Sequence, residues 1–263
     1  MKILVTVKRV EDPESKIKVK PDGSGIVTEG VNYKVNPFDD IAVEEALRLR
    51  DAHEGEVVLV SVGTDAAMSE IRSGLAMGAD RGILVKTDAA IDSDAAARLV
   101  QKIVEEEKPD LVLLGKQAVD DDQGQTGQLL AEYLGWGQAT QASKRESLES
   151  DAEKAKTPAI VVEGESAKVV REVDGGIQDV KVALPAVVTV DLRLNEPRYA
   201  TLPGIMKAKK KEVKETSTET LGVDVAPKIK VVSMRPPPER KGGEIVPDVE
   251  TLMNKLKTEA KVL

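Results

Sequence analysis

Three stretches of the chain combine residue types suited to binding and docking. The first is L-V-L-L-G-K-Q-A-V-D-D-D-Q-G-Q-T-G-Q, residues 111–128. It reads as a buried strand ending at Gly115, an irregular loop, and a helix that Thr126 opens and that runs through Tyr133. In an open parallel sheet, ligands sit beyond the carboxyl ends of the strands. The free amides and positive dipole of a helix start favour a phosphate there. Gly124 and Gly127 let backbone approach an anion closely, and Gln125, Thr126 and Gln128 offer hydrogen-bonding groups. The segment is neither G-x-G-x-x-G nor a Walker A loop. On these residues alone, an ordinary strand-to-helix loop with a solvated acidic tip stays open. Asp120, Asp121 and Asp122 do not make a metal site, because three adjacent acids cannot all converge on one ion.

The second stretch, R-E-V-D-G-G-I-Q-D-V-K-V-A-L-P-A-V-V-T-V-D-L over residues 171–192, reads as a hairpin turn feeding a buried strand. On the residues alone, a bare surface pair of Arg171 and Glu172, worth less than about 1 kcal/mol, stays open. The third, D-L-R-L-N-E-P-R-Y-A-T-L-P-G-I-M-K-A-K-K-K over residues 191–211, has two prolines and a glycine that oppose regular structure through its middle. Leu202, Ile205 and Met206 are apolar there and are rimmed by Lys207, Lys209, Lys210 and Lys211. Exposed apolar residues with a cationic rim fit a docking loop.

Composition removes several chemistries. Cysteine is absent from the 263 residues, which excludes disulfides, thiolate catalysis and Cys-ligated metal. His53 is the only histidine, so a His-centred triad or metal site is implausible, and its D-A-H-E-G setting reads as a solvated helix end. The aromatics are Tyr33, Phe38, Tyr133, Trp136 and Tyr199, too few for base-stacking platforms. A net charge of -8 and a pI near 5.0 argue against general nucleic-acid or membrane-surface binding. No apolar run approaches the roughly 18 residues of a membrane span. The opening M-K-I-L-V-T-V-K-R-V enters a strand pattern at once, so no signal or transit peptide is expected and the cytoplasm is the expected location.

The elements that must position these segments alternate. Ile3 to Val7, Glu56 to Val62, Gly82 to Val85 and Leu111 to Leu114 are short apolar runs of the kind buried on both faces of a sheet. Between them lie helical patterns at Ile41 to Arg50, Ala66 to Met77 and Ser93 to Glu107. The first of these places Ile41 and Leu47 on one stripe, and Asp39 or Asp40 in N-P-F-D-D is the expected cap for its orphan amides. This β-α-β-α order predicts an α/β fold: an open, mostly parallel, Rossmann-like sheet with helices on both faces. Residues 17–35 interrupt it with short strands around a Gly-rich turn. After about Gln138 the helices fade into extended segments at Ala159 to Val162, Lys168 to Val173 and Val180 to Val190. A polar linker, the apolar run Ile229 to Val232 and Pro236 to Pro238 lead to a final amphipathic helix from about Pro247 to Lys261. Its apolar side carries Val249, Leu252, Met253 and Leu256, and it either folds back on the domain or crosses to a partner.

Taken together, these segments, with N-P-F-D-D-I-A-V-E-E-A (36–46) and A-M-G-A-D-R-G (76–82), closely resemble the beta subunit of electron transfer flavoproteins. The resemblance covers essentially the whole chain. It implies a heterodimer in which an alpha subunit holds most of the FAD and this chain supplies a facing nucleotide-binding domain. It implies a buried AMP without a redox role, on positions matching Thr6, Asn36, Pro37, Phe38, Asp39 and Val62. The rest of that site matches the loop Gly115, Lys116, Gln117, Ala118, Val119, Asp120, Asp121, Asp122, Gln123, Gly124, Gln125 and Thr126. A bifurcating branch of the family holds a second FAD at this place, and D-D-D-Q-G-Q-T-G resembles the AMP form.

The same resemblance makes Leu202 the residue that enters a pocket on partner dehydrogenases and Glu172 the residue that steadies the mobile flavin domain. Phe38 matches one member of an aromatic pair near the flavin, and Pro13 stands where the family has the other. The implied division is a nucleotide-binding α/β domain over residues 1–192, a docking loop over 193–211, and a linker and C-terminal arm over 212–263 that packs on the alpha subunit. The expected role is that of an electron-carrier subunit, not an enzyme. Its implied partners are the alpha subunit, acyl-CoA or related dehydrogenases, and a quinone oxidoreductase, without nucleic acid or membrane insertion. Rival readings are a flavin-free nucleotide-binding module and an adenine-nucleotide hydrolase or ligase. The last wants a Gly-Ser pyrophosphate loop after the first strand, where K-R-V-E-D-P stands.

Overall fold

A computed structural model describes residues 1–145, 158–239 and 242–263. By internal contact the chain divides into two units. One comprises Met1–Ile17 with Thr28–Val231, and the other Lys18–Val27 with Val232–Leu263.

The first unit is built on a mixed sheet of ten strands among the described residues. Strands β1 (Lys2–Thr6), β4 (Glu56–Gly63), β5 (Arg81–Lys86), β6 (Leu111–Gly115) and β11 (Ala186–Val190) form its parallel centre. β7 (Gly137–Ala142) and β12 (Val213–Ser217) extend it in the same sense, beside β11 and β5 respectively. β8 (Ile160–Glu163), β9 (Ser166–Val173) and β10 (Gly176–Ala183) add antiparallel pairs beyond β7. A small separate pair, β2 (Arg9–Glu11) with β3 (Tyr33–Val35), branches off after β1. The predicted open, mostly parallel α/β fold is therefore the observed one.

Why both faces are covered follows from the pleat, which sends successive side chains to opposite sides. Ile3, Val5, Val57, Leu59, Leu111 and Leu113 point into one core with Ile41 and Leu47 of α1 (Pro37–His53) and Ile71 and Leu75 of α2 (Met68–Met77). Leu4, Val58, Val60, Ile83, Val112 and Leu114 point into a second core with Leu99 and Ile103 of α3 (Ser93–Glu107) and Leu130 of α4 (Thr126–Leu134). The sheet order β5-β4-β1-β6 means that the chain moves outward on one side of β1, then crosses back through α3 to its other side. The strand order reverses between β1 and β6, the position where open α/β sheets leave a crevice.

Two expectations need correction. α1 is not buried on a single stripe: Glu44 and Glu45 are buried as well. Residues after β11 cover that side, with Asn195 donating to Glu45 at 2.9 Å and Arg198 to Glu44 at 2.8 Å. The stretch 202–208 is also helical, as α5 (Leu202–Ala208). Pro203 falls in its first turn, where a missing N–H is harmless, and the Thr201 side chain caps it by accepting from Gly204 N at 3.2 Å. A further short helix, α6 (Thr218–Leu221), follows β12.

The second unit is held by local contacts. Val19 and Ile26 form an isolated antiparallel bridge, and Met234 N donates to the Gly23 carbonyl at 2.8 Å. Its helix α7 (Val249–Lys255) is capped by Asp248, which accepts from Thr251 N at 2.7 Å, and it continues as one wide turn through Leu256–Ala260. Val249, Leu252 and Met253 are exposed on it.

Candidate functional site

The carboxyl ends of β1, β4 and β6 and the start of α3 surround one cleft. Of the residues singled out in the sequence, Thr6, Asn36, Asp39, Val62, Gly115, Lys116, Gln117, Ala118, Asp121, Gly124, Gln125 and Thr126 line it. Pro37, Phe38, Val119, Asp120, Asp122 and Gln123 are not among the lining residues. The cleft also takes residues that sequence reasoning missed: Lys8 after β1, and Ile91, Asp92, Ser93, Ala96 and Val100 around the start of α3. The signal for the last five was the helix start after β5, and for Lys8 its place just past the end of β1, both of which the ladder of strands puts beside the cleft.

Asp39 organises the floor. It was an expected helix cap, yet no side-chain cap bond is made at the start of α1. One carboxylate oxygen accepts from Lys8 N at 2.8 Å and the other from Gly115 N at 3.0 Å. Its side chain thus ties the ends of β1 and β6 across the point where the strand order reverses. Gly115 is required here, since a Cβ would lie 2.5 Å from both Asp39 Oδ1 and Phe38 Cβ. Burial pushes Asp39 up to about 7 against its main-chain donors, and burial likewise pushes Asp40 up to about 6. Asn36 fastens the next segment, donating to the Gln117 carbonyl at 2.9 Å and accepting from Val119 N at 3.3 Å.

The acidic tip is not simply solvated. Lys8 Nζ reaches Asp120 at 2.8 Å and Asp121 at 3.2 Å. Burial pulls the Lys8 ammonium down, but hydrogen bonds and charge from these two acids hold it above its ordinary value. α4 then begins at Thr126 with no side-chain cap bond from Gln125, and both residues line the cleft. Gly127 is needed for packing, because a Cβ there would come within 2.4 Å of Thr189 Cγ2. The chemistry of the lining suits a ligand with an apolar part and a polar or anionic end. Val60, Val62, Ile91, Ala96, Val100 and Leu114 make an apolar slot, and the start of α4 with Gln125 and Thr126 makes a polar, electropositive end.

A charged chain leaves the cleft. Lys116 Nζ pairs with buried Asp191 at 2.7 Å and stands 5.7 Å from the centroid of the Phe38 ring. Arg193 bonds Asp191 at 3.1 Å and also pairs with Glu172. Burial raises the Asp191 carboxyl, but Lys116 and Arg193 outweigh it and hold it below its ordinary value. Glu172 is therefore not partnered by Arg171, which instead donates to Thr140 O and Oγ1, each at 2.9 Å. Phe38 is 6% exposed, whereas Pro13 is at the surface.

On α5, Leu202 is 74% exposed, Met206 61% and Ile205 43%. Lys207, Lys209 and Lys210 are exposed around them, whereas Lys211 is only partly exposed. Among the described residues no group of His, Cys, Asp and Glu is arranged to hold a metal, and no helix is long and apolar enough to cross a membrane.

The chain is thus an open, doubly wound α/β protein with a cleft at the switch point of its sheet and an exposed apolar helix beside lysines. Residues 24–221 match the family described as electron transfer flavoprotein domain. The chain is 54% identical over 264 residues to the electron transfer flavoprotein subunit beta of Bradyrhizobium diazoefficiens, covering 100% of both chains. It is 48% identical over 266 residues to the protein named electron transfer flavoprotein subunit beta, mitochondrial, of Arabidopsis thaliana, again with 100% of both covered. It is 49% identical over 262 residues to the Homo sapiens subunit beta, covering 98% of this chain and 97% of that one. The chain belongs to the electron transfer flavoprotein family, a family of electron carriers, and is similar along its length to its beta subunits.

Proposed function

We propose that this chain is the beta subunit of a heterodimeric electron transfer flavoprotein. It binds a structural AMP in the cleft at β1, β4 and β6 and, with an alpha subunit, holds FAD at the interface. The observation that carries this reading is the convergence of Thr6, Asn36, Asp39, Val62 and the 115–126 loop on one cleft whose slot is apolar and whose far end is a helix start. FAD supplies the redox chemistry when bound. The chain's own residues contribute position and surface: Asp39 and Asn36 set the cleft walls, Lys8 restrains the acidic tip, and Glu172 meets the flavin-bearing domain of the partner.

Leu202, Ile205 and Met206, with the surrounding lysines, dock acyl-CoA or related dehydrogenases, and electrons leave to a quinone oxidoreductase. The division expected at residue 192 moves outward, because β12 joins the sheet beside β5: residues 1–17 and 28–231 form the nucleotide-binding unit, 193–211 is the docking segment within it, and the stretch after residue 231 is the arm that packs on the alpha subunit. The exposure of Val249, Leu252 and Met253 supports a partner for that arm. The net charge of -8 fits a cytoplasmic setting; the Arabidopsis relative is named as mitochondrial. No bond of a substrate is made or broken by this chain, so it is a carrier subunit and not an enzyme.

Purifying the chain alone and with an alpha subunit tests the proposal. Flavin absorbance is expected only in the heterodimer. A yellow, electron-accepting monomer contradicts it.

A further inference from the structure

Helix α5 has seven residues, too few to hold its shape without tertiary support. The carbonyls of its last turn have no partner within the helix. Arg72, from α2, supplies one: its Nη1 donates to the Ala208 carbonyl at 2.6 Å and to the Lys211 carbonyl at 2.7 Å. Lys211 answers in the other direction. Its ammonium donates to the Leu75 carbonyl at 3.2 Å and to the Ala79 carbonyl, filling the end of α2. Arg72 of α2 therefore reaches the carbonyl end of α5, and Lys211, three residues past the end of α5, reaches the carbonyl end of α2. The two lie flush, since a Cβ on Gly204 would sit 2.6 Å from the Ala76 carbonyl oxygen. Ala208 is buried in the contact while Leu202, Ile205 and Met206 face away from it.

From this geometry we infer that Arg72 is a positioning residue for partner docking: with Lys211 it fixes α5 on α2 so that Leu202 is presented in one orientation. The inference rests on the docking role proposed above for Leu202. Holding an anchor in its bound geometry removes an ordering cost that the complex would otherwise bear. Arg72 itself touches neither the cleft nor the exposed face of α5, and its effect passes through Leu202.

The test measures reduction of the heterodimer's flavin by an acyl-CoA dehydrogenase, with heterodimer concentration varied, for Leu202→Ala, Arg72→Gln, Arg72→Lys and the double variant L202A/R72Q. Arg72→Gln is expected to raise KM for the heterodimer roughly tenfold with kcat unchanged. Arg72→Lys, which keeps the positive charge and an N–H donor, is expected to recover most of that loss. The double variant is expected to be no worse than Leu202→Ala alone, because the two changes remove one interaction. If Leu202→Ala raises KM and Arg72→Gln does not, or if their losses multiply, the positioning role is overturned. If Leu202→Ala itself leaves KM unchanged, the docking reading fails instead. Should Arg72→Gln yield no folded heterodimer, Lys211→Met removes the other arm of the pair. It must then raise KM at constant kcat, and an unchanged KM overturns the inference.

Discussion

At Asp39, burial and hydrogen bonding pull in opposite directions. Two main-chain N–H groups favour its carboxylate, removal from water favours the acid, and burial leaves the group at about 7. In the unfolded chain the same carboxyl titrates near 3.9. The folded form therefore holds the proton more tightly, and this contribution to stability is complete below about pH 4 and is lost as pH rises through about 7. Asp40, raised to about 6, acts in the same direction. The thermal midpoint of the heterodimer should thus fall between about pH 4 and about pH 7, and Asp39→Asn should flatten part of that fall. An unchanged pH slope in the variant would show that Asp39 does not titrate there. Gly115→Ala is the steric counterpart. Its new methyl meets Asp39 and Phe38 at 2.5 Å, so a loss of about 1–3 kcal/mol and weaker nucleotide retention are expected, measurable by denaturant titration and by the nucleotide released.

At the scale of elements, the proposed contacts fall on α5 and on the loop from Gly115 to Thr126. Leu202 stands exposed on a capped helix, and truncating a central apolar anchor commonly costs at least about 2 kcal/mol of binding. Leu202→Ala should therefore lose dehydrogenase coupling by more than about tenfold in KM while keeping flavin content and melting temperature. Coupling that survives intact removes the docking role. The helix itself was hidden in the sequence because Pro203 and Gly204 suggest a break. Pro203 is tolerated only because it falls in the first turn, and the caps from Thr201 and Arg72 come from outside the periodic pattern. The buried strands and α3 were legible, since each is a continuous apolar run or a clear 3.6-residue stripe. The ties from Asp39 and Asn36, and the partnership of Glu172 with Arg193, were not legible. They join residues far apart in the chain, and periodicity carries no information about such pairs.

For the whole molecule, the order of strands and helices was sufficient to predict an open parallel sheet and the crevice where its order reverses. The lining from Lys8 and the start of α3 needed the sheet order itself. The arm beyond residue 231, with Val249, Leu252 and Met253 exposed, and the absence of cysteine both suit a chain that works on a partner's flavin. The account stands or falls on what the cleft of the assembled heterodimer contains. Mass spectrometry of the nucleotides released on denaturing it should find one FAD and one AMP per heterodimer. Two FADs and no AMP, or a heterodimer that releases no adenine nucleotide beyond the alpha subunit's FAD, would contradict it.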